Sequence, residues 1–306
     1  MKEEGTKQFG ILGLPYDTSA SLGWPGARYA PAKIREALKW ILNRIEGDRI
    51  FDVEENRLFD MSGTVIKDFG DARISRYDHE KTLTELKLAV DQVLADGFTP
   101  ILLGGDHSVT WPGILSLHDH RKGKIGIIHI DAHLDLVEKS PVQGPHSGSS
   151  EIRRAIELPG ISATNVVQIG VRGFNYPEHY HFIRNSGITL IPPARLYEDG
   201  VEAAALRALK IAGEKTAQIY LTVDIDVLDS AFAPGSGANE PGGITSWQLI
   251  QLVRRLAPSV DVMDIVEVNP LTDYRDVTSA VAARLVFDFI CSSSLFKSST
   301  KGGSNQ

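Results

Sequence analysis

About eight short apolar runs alternate along this 306-residue chain with segments whose apolar residues recur at helical spacing. Strands that alternate with helices favour β-α-β units, in which neighbouring strands are parallel and the crossovers are right-handed. No internal repeat or linker-like stretch interrupts the pattern, which predicts an α/β fold with one mostly parallel sheet. The predicted strands are residues 9–14, 64–69, 100–103, 125–135, 166–171, 188–191, 219–223 and 262–268.

Helical periodicity falls between most of these runs, and Pro31 suits the first turn of the first helix. Residues 43–62 are too mixed to assign. We expect residues 1–292 to form a single domain and the Ser- and Gly-rich residues 293–306 to be a disordered tail. Further helices are predicted at residues 80–95, after Ser108, from 147–150 to 156, and at 201–211, 246–256 and 278–290.

The predicted strand at residues 125–135 ends in the sequence DAHLD. Asp131, His133 and Asp135 alternate there, and on an extended backbone alternate side chains point to the same face. All three are residue types that bind divalent metal ions. This segment therefore predicts part of a metal site.

Two other strand ends carry the same chemistry. Asp224 and Asp226 follow one apolar run, and His107 follows the two glycines of GGDHS. In parallel sheets, sites form at the carboxyl ends of the strands, so we expect these side chains to converge. The predicted metal ligands are His107, Asp131, His133, Asp135, Asp224 and Asp226.

Four carboxylates with two imidazoles suit a borderline-hard divalent ion such as Mn²⁺, whereas structural zinc sites more often recruit Cys. This donor set exceeds the needs of one catalytic ion and predicts two ions bridged by carboxylates, which would lower the pKa of a bridging water. A lone Asp after a strand is usually a cap or turn residue. Because three separate strand ends carry metal-binding residue types, a metal site explains them better than three unrelated caps or turns. His129 is expected to be a buried, hydrogen-bonded histidine rather than a ligand.

The composition limits the binding partners and the cellular compartment that we expect for this protein. A formal net charge of −7 argues against nucleic acid or an anionic membrane as a partner, and no apolar run approaches the length needed to cross a bilayer. The single cysteine, Cys291, excludes an internal disulfide and fits a reducing compartment. The charged N-terminal segment MKEEGTKQ does not resemble a secretory signal. We expect a cytoplasmic protein.

Taken together, these motifs resemble the ureohydrolase family, which includes arginases, agmatinases, guanidinobutyrases and formiminoglutamases. The resemblance covers almost the whole chain through LGLPYDTSASLGWPGARYAP, GGDHS, IDAHLD, IGVRGFN, DIDVLDSAFAPGSGANEPGGIT, VEVNP and TSAVAARLVF. It implies a three-layer α/β/α fold, a binuclear Mn²⁺ centre, with Ni²⁺ or Co²⁺ as alternatives, and a homo-oligomer, either a trimer or a hexamer.

The resemblance also implies roles for individual residues. Asp131 and Asp224 would bridge the two ions, and Asp135 would hold the attacking nucleophile by a hydrogen bond. Glu267 in VEVNP would bind the guanidinium group, since a carboxylate meets a planar cation with paired hydrogen bonds. The first ion would be held by His107, Asp131, Asp135 and Asp224. The second would be held by His133, Asp131, Asp224 and Asp226.

The loop after DAHLD departs from the pattern of arginases and agmatinases, which place a proton-shuttling His before a Gly. Here Ser147 precedes Gly148 and the histidine comes one residue earlier, at His146. Either His146 takes the shuttle role after a loop shift, or the protein works without it. For the distal end of the substrate, Glu138 would suit an amine and Arg172 a carboxylate.

These observations predict a binuclear-metal hydrolase that cleaves a guanidino compound to urea and an amine, in the manner of an agmatinase. The alternatives are a formiminoglutamase, which releases formamide, and a hydrolase of guanidino acids or guanidine. A catalytically silent homologue that binds a guanidine is an alternative of another class. The sequence alone does not decide the substrate, the native metal or the oligomeric state.

Overall fold

The computed structural model describes residues 6–18, 23–141 and 143–294. Most of the predicted strands are present, within a few residues of their predicted ends. The strands are β1 Lys7–Gly13, β2 Arg49–Asp52, β3 Arg57–Asp60, β4 Thr64–Asp71, β5 Thr99–Leu103, β6 Ile125–Ile130, β7 Ile161–Ile169, β8 Thr189–Ile191, β9 Gln218–Asp224 and β10 Val262–Val266. The helices are α1 Ala30–Leu42, α2 His79–Ala95, α3 Thr110–His120, α4 Glu151–Ala155, α5 Pro177–Ser186, α6 Pro193–Ala212, α7 Ser246–Leu256 and α8 Val277–Ser294.

Within the described ranges, eight strands form one sheet in the order β4-β1-β5-β10-β9-β6-β7-β8. Every neighbouring pair in this sheet is parallel. The predicted fold class is therefore confirmed. The order places β5, β10, β9 and β6 side by side at the centre, so their carboxyl ends lie next to one another.

Helices cover both faces of the sheet, because both faces are apolar. In β6, Ile125 and Ile127 pack with the core beneath α2, α3 and α4, whereas Ile128 and Ile130 pack with the core beneath α1, α6, α7 and α8. This alternation is the two-residue period of a strand that is buried on both sides. The result is the predicted three-layer α/β/α arrangement.

Three elements, two strands and a helix, were not predicted from the sequence. Strands β2 and β3 form a separate antiparallel hairpin within residues 43–62. Helix α5 follows β7, with Pro177 in its first turn and Gly187 in the left-handed conformation at its end. Helix α8 continues through Ser294, two residues into the segment that we assigned to the tail. Residues 295–306 lie outside the described residues.

Helix α8 is the one helix of the described chain that is long and apolar enough to cross a membrane, but 72% of that stretch is buried inside the protein. It packs against α1 and α7. Its apolar composition is therefore explained by its place in the core.

Cys291 lies in α8 with 3% of its surface exposed. Burial raises the pKa of its thiol to about 12. We expect a thiol reagent at pH 8 to label the native protein more than about 1,000-fold more slowly than the unfolded chain, because the thiolate is the reactive form. Labelling followed with and without denaturant measures this ratio, and equal rates would contradict the buried position.

Candidate metal centre

Four neighbouring strands deliver the predicted metal and substrate residues to one edge of the sheet. His107 follows β5, Asp131 follows β6, Asp224 ends β9 and Glu267 follows β10. All four are buried. The parallel topology therefore brings together residues that lie far apart in the sequence.

The inner cluster consists of His107, Asp131, Asp135 and Asp224. The Nδ1 atom of His107 lies 3.1 Å from Asp131 Oδ2, 2.9 Å from Asp135 Oδ2 and 3.3 Å from Asp224 Oδ2. The other ring nitrogen, Nε2, lies 2.9 Å from the hydroxyl of Thr222. A partner at Nε2 fixes the orientation of the ring and directs Nδ1 toward the carboxylates.

The outer cluster consists of Asp131, His133 and Asp226. The Nδ1 atom of His133 lies 3.4 Å from Asp131 Oδ1 and 3.1 Å from Asp226 Oδ2. Asp131 thus directs one oxygen to each cluster. Asp224 Oδ1 accepts a hydrogen bond from the amide of Asp226, and its Oδ2 faces the inner cluster. The bridging role of Asp224 stays a prediction.

The backbone that carries these side chains is not extended, contrary to our expectation. Strand β6 ends at Ile130, and Asp135 has a φ of 49°. Asp131, His133 and Asp135 therefore do not share one face of a strand, and His133 and Asp135 contribute to different clusters. Glu267 has a φ of 63°. Left-handed backbone at residues other than glycine is strained and concentrates at functional sites.

The spacing of the donor atoms suits divalent ions. Metal–ligand distances of about 2.0–2.2 Å place adjacent ligand atoms about 3 Å apart in a coordination shell. The inner-cluster distances of 2.9–3.3 Å match that spacing. In addition, His107 Nδ1 and Asp131 Oδ2 are buried and have no hydrogen-bond partner among the described residues. Buried polar atoms without partners are costly unless another group, such as a cation, neutralises them.

The charges of the two clusters also indicate that divalent ions bind there. Burial alone would lower the pKa of His133, but Asp131 and Asp226 outweigh it and raise this pKa to about 12. Burial and the neighbouring Asp226 raise the pKa of Asp224 well above its ordinary value. So many carboxylates in a buried site require positive charge, which divalent ions supply.

His129 lies beside the inner cluster. It is fully buried as expected, but its Nε2 atom has no hydrogen-bond partner and lies 3.1 Å from Asp131 Oδ2. Its other nitrogen, Nδ1, contacts Gln168. Because the amide nitrogen of Gln168 donates to Nδ1, Nε2 carries the proton and faces the carboxylate of Asp131. This agrees with a buried histidine that supports the metal site rather than a metal ligand.

Sequence reasoning missed a further acidic residue, Glu151, the first residue of α4. Its side chain is fully buried, and its Oε1 atom lies 3.6 Å from His129 Nε2 and 3.7 Å from His107 Nε2. Burial and the Asp135 carboxylate raise its pKa well above the ordinary value. Glu151 reaches these two histidines because of the path that the chain takes between Asp135 and α4. No local sequence pattern predicts that path.

A cleft of about 400 Å³ opens over the outer cluster. Its volume suits a small polar molecule. Its wall combines metal-site residues with neutral polar residues from two loops and α5. The residues that line it are His133, Leu134, Asp135, Val137, Ser140, Ser147, Gly148, Ser149, Asn175, Tyr176, His179, Asp224, Asp226, Ala238 and Glu267.

Glu267 lies where the resemblance predicts, in the wall of this cleft. Its Oε1 atom accepts a hydrogen bond of 2.9 Å from the amide of His107. Burial, together with the carboxylate of Asp106, raises its pKa to about 8. A cationic group that enters the cleft would stabilise the charged form of Glu267.

Three other predicted residues lie elsewhere. Glu138 is exposed and does not line the cleft. Arg172 donates to the backbone carbonyls of Asp226, Val227 and Glu240, so its guanidinium secures the segment after β9 rather than reaching a substrate. The substrate-binding roles predicted for Glu138 and Arg172 are therefore not supported by their positions.

His146 is directed away from the metal cluster. Its ring stacks on Trp111 with centroids 5.3 Å apart, and its Nδ1 lies 3.2 Å from Glu80 Oε1. The position before Gly148 is held by Ser147, whose hydroxyl bonds to Ser150. A loop shift that brings His146 into the cleft is therefore not observed, and its position does not support the predicted catalytic role.

His179 is a histidine of the cleft wall that sequence reasoning missed. It lies in the first turn of α5, and its Nδ1 is 2.6 Å from Asn175 Oδ1. That oxygen also accepts from the amide of Tyr176, so Nδ1 of His179 is the donor and Nε2 is an acceptor. Burial lowers the pKa of His179 below its ordinary value of 6.5.

Comparison with known proteins agrees with the geometry. The sequence matches the Arginase family over residues 7–291, almost the whole chain. The chain belongs to the arginase family. Within this family it is 36% identical to an agmatinase of Halalkalibacterium halodurans, covering 92% of this chain and 90% of that protein. It is 34% identical to a guanidinopropionase of Pseudomonas aeruginosa, covering 93% of this chain and 86% of that one.

Solved structures of arginase-family proteins share the architecture. The formimidoylglutamase of Bacillus subtilis superposes with a TM-score of 0.83 at 28% identity, covering 96% of this chain and 89% of that one. Its name and those of the two sequence relatives describe different substrates. Membership in the arginase family therefore does not identify the substrate of this chain. The substrate has to be inferred from the residues that line its cleft.

Proposed function

We propose that this arginase-family chain hydrolyses a guanidino compound to urea and an amine at a pair of divalent metal ions. The observation that carries the proposal is the position of Glu267, a buried carboxylate in the same cleft wall as His133 and Asp226. A planar guanidinium pairs well with a carboxylate because both groups form parallel, charge-assisted hydrogen bonds. Glu267 would therefore hold the substrate carbon beside the outer cluster.

The inner and outer clusters would hold the two ions. When bound, such ions lower the pKa of a water molecule and so supply a nucleophile at neutral pH. Asp135, which lies in the cleft wall with its Oδ2 directed into the inner cluster, would orient that water by a hydrogen bond. Glu267 would fix the guanidinium, so that the attacking and accepting atoms are held in position.

The described part of the cleft wall contains neither Arg nor Lys. A substrate with a distal carboxylate, such as a guanidino acid or formiminoglutamate, would gain no ion pair there. We therefore propose an agmatinase-like substrate with an uncharged or cationic distal end, or a small guanidine. The neutral side chains of Asn175, Tyr176 and Ser140 would contact that end.

We also propose that His179 passes a proton to the leaving amine. Its lowered pKa keeps the ring neutral near pH 7, and its Nε2 atom is an acceptor that can take up and return a proton. It occupies the cleft wall, which His146 does not. This assignment replaces the loop histidine that arginases and agmatinases use.

A pair of variants separates the two histidines. We expect His179→Gln to lower kcat by about 100-fold or more, the usual loss when a general acid is removed. We expect His146→Ala to leave kcat within about twofold but to reduce the free energy of unfolding by about 1 kcal/mol, because it loses the stack on Trp111. Steady-state kinetics with thermal unfolding measures both. A reversed pattern of kcat values would restore the shuttle role to His146.

Three further features are part of the proposal. Mn²⁺ is the proposed ion, with Ni²⁺ or Co²⁺ as alternatives, because the donors are carboxylates and imidazoles. The arginase family supports a homo-oligomer, which we propose to be a trimer or a hexamer. A cytoplasmic location is supported by the single, buried cysteine.

The direct test is product release by Mn²⁺-loaded protein offered agmatine, guanidine, arginine, 4-guanidinobutyrate, 3-guanidinopropionate and formiminoglutamate. We expect urea from agmatine or guanidine, and little product from the carboxylate-bearing compounds. Formamide from formiminoglutamate would move the protein to the formiminoglutamase branch. No product from any compound, with two ions bound, would favour a silent guanidine-binding protein.

A further inference from the structure

Three consecutive residues of the cleft wall, Ser147, Gly148 and Ser149, form a short stretch that we call the wall segment. The amide of Ser147 donates to the hydroxyl of Ser150, and the carbonyl of Ser149 accepts from the amide of Val137. These bonds give the segment its shape. They lie within the loop between β6 and α4, so they do not hold the wall segment against the rest of the protein.

A histidine on another element contacts the backbone just before the wall segment. The carbonyl oxygen of His146 lies 2.6 Å from Nε2 of His79, in the first turn of α2. A carbonyl only accepts, so Nε2 carries the proton, and in this tautomer Nδ1 is an acceptor. The hydroxyl of Tyr16 donates to Nδ1 over 2.8 Å, and the two rings stack with centroids 5.7 Å apart. Tyr16 therefore directs the N–H of His79 toward the carbonyl.

The backbone of Tyr16 packs against the metal-binding loop, residues 104–107, which leads from β5 to His107. Its carbonyl accepts a hydrogen bond of 2.8 Å from the amide of Asp106. A Cβ atom at Gly105 would come within 1.7 Å of the same carbonyl oxygen, so the two backbones touch only because residue 105 is glycine. Tyr16 is buried and thus joins the metal-binding loop at one end to His79 at the other.

We propose that Tyr16 and His79 are positioning residues, which fix the wall segment relative to the metal-binding loop and so determine how tightly the cleft binds its substrate. This proposal rests on the proposed function, because it takes the cleft as the substrate site. Neither side chain is among the described residues that line the cleft, so both act through the carbonyl of His146. The wall segment contacts the substrate equally before and during the reaction, and loosening it therefore raises KM more than it lowers kcat.

The test begins with His79→Phe, which keeps a ring to stack on Tyr16 but removes both hydrogen bonds. Amide hydrogen exchange of the Mn²⁺-loaded protein is followed without substrate by mass spectrometry of peptides that cover residues 143–150. We expect exchange there to become about tenfold faster or more, because the carbonyl of His146 loses its partner and the loop opens more often. For agmatine or guanidine, whichever gives urea, we expect KM to rise about tenfold with kcat within about threefold.

Further variants make the result specific. His79→Gln keeps an N–H group that can reach the carbonyl, and it should bring exchange and KM back to within about threefold of the wild-type values. His118→Phe is the matched control: its Nε2 also lies 3.0 Å from a carbonyl, that of Pro159, outside the cleft wall, and we expect no change. Tyr16→Phe should have a smaller effect than His79→Phe. The double variant should exchange no faster than His79→Phe, because residues of one hydrogen-bonded chain are not additive.

Wild-type exchange of residues 143–150 in both His79→Phe and Tyr16→Phe, with circular dichroism that shows folded proteins, would overturn the proposal. If His79→Phe does not fold, Tyr16→Phe, which lacks a single oxygen atom, decides alone. Additive effects in the double variant, or faster exchange with an unchanged KM, would also contradict it. Because the exchange measurement uses no substrate, a protein that releases no urea still shows whether the chain of contacts holds the wall segment. Failure of the proposed reaction and failure of this inference are therefore distinguishable.

Discussion

Asp131→Ala is expected to abolish turnover and to reduce metal content, because this carboxylate directs one oxygen to each cluster. Its Oδ2 lies 3.1 Å from His107 Nδ1 and its Oδ1 lies 3.4 Å from His133 Nδ1. Removing it takes a ligand from both ions and leaves the imidazoles without their shared partner. We expect metal affinity and kcat each to fall by more than about 100-fold, beyond the loss seen for residues that only support a ligand.

Asp226→Ala is the informative companion to Asp131→Ala, because Asp226 faces the outer cluster alone. It should lose activity while retaining about one ion per chain, whereas Asp131→Ala should lose both ions. Elemental analysis of the purified variants distinguishes these results. Full metal content with wild-type kcat in Asp131→Ala would remove the two-ion account.

Glu267→Gln is expected to weaken turnover of a guanidino substrate severely. The change leaves the shape of the side chain but removes the negative charge that would pair with the guanidinium. Truncating one partner of a buried, hydrogen-bonded charge pair costs about 2–5 kcal/mol. In kcat/KM this corresponds to a loss of roughly 30- to 4,000-fold.

Glu138→Gln is the matched control, since it makes the same chemical change at an exposed residue outside the cleft. We expect its kcat/KM to stay within about twofold of the wild-type value. Both variants should be measured with the same substrate at saturating Mn²⁺. A small effect in Glu267→Gln together with a large one in Glu138→Gln would mean that the substrate is oriented by the surface loop instead.

The sheet was predictable because its central strands are buried on both faces. Strand β6 has six buried residues in succession, which gives a strong apolar signal. The hairpin β2–β3 was missed because each of its strands buries a single residue, Ile50 or Phe59, and so lacks a pattern. Helix α5 was missed for the same reason, since His179 is its one buried residue.

The metal clusters were predictable because their residues directly follow the central strands, and the strand order places those ends together. The reasoning for Asp131, His133 and Asp135 was nevertheless wrong in detail, because the backbone leaves the extended conformation after Ile130. The side chains still converge because two of them contact residues that follow other central strands: His133 contacts Asp226, after β9, and Asp135 contacts His107, after β5.

The remaining site residues depend on loop paths that sequence periodicity does not encode. Glu151 reaches the inner cluster only after the loop that follows DAHLD returns to the sheet. Arg172 was assigned to the substrate by charge alone, yet several backbone carbonyls accept its hydrogen bonds. Charge and spacing identify candidates, but the connections between strands decide which of them face the cleft.

Urea release as a function of bound Mn²⁺ tests the central claim most directly. Chelator-stripped protein is titrated with Mn²⁺ while urea production from agmatine and from guanidine, and ions bound per chain, are measured on the same samples. The account predicts no urea without metal and full activity when about two ions per chain are bound, with at least one of these substrates. Urea production without metal, or none from either substrate when both ions are bound, would contradict it.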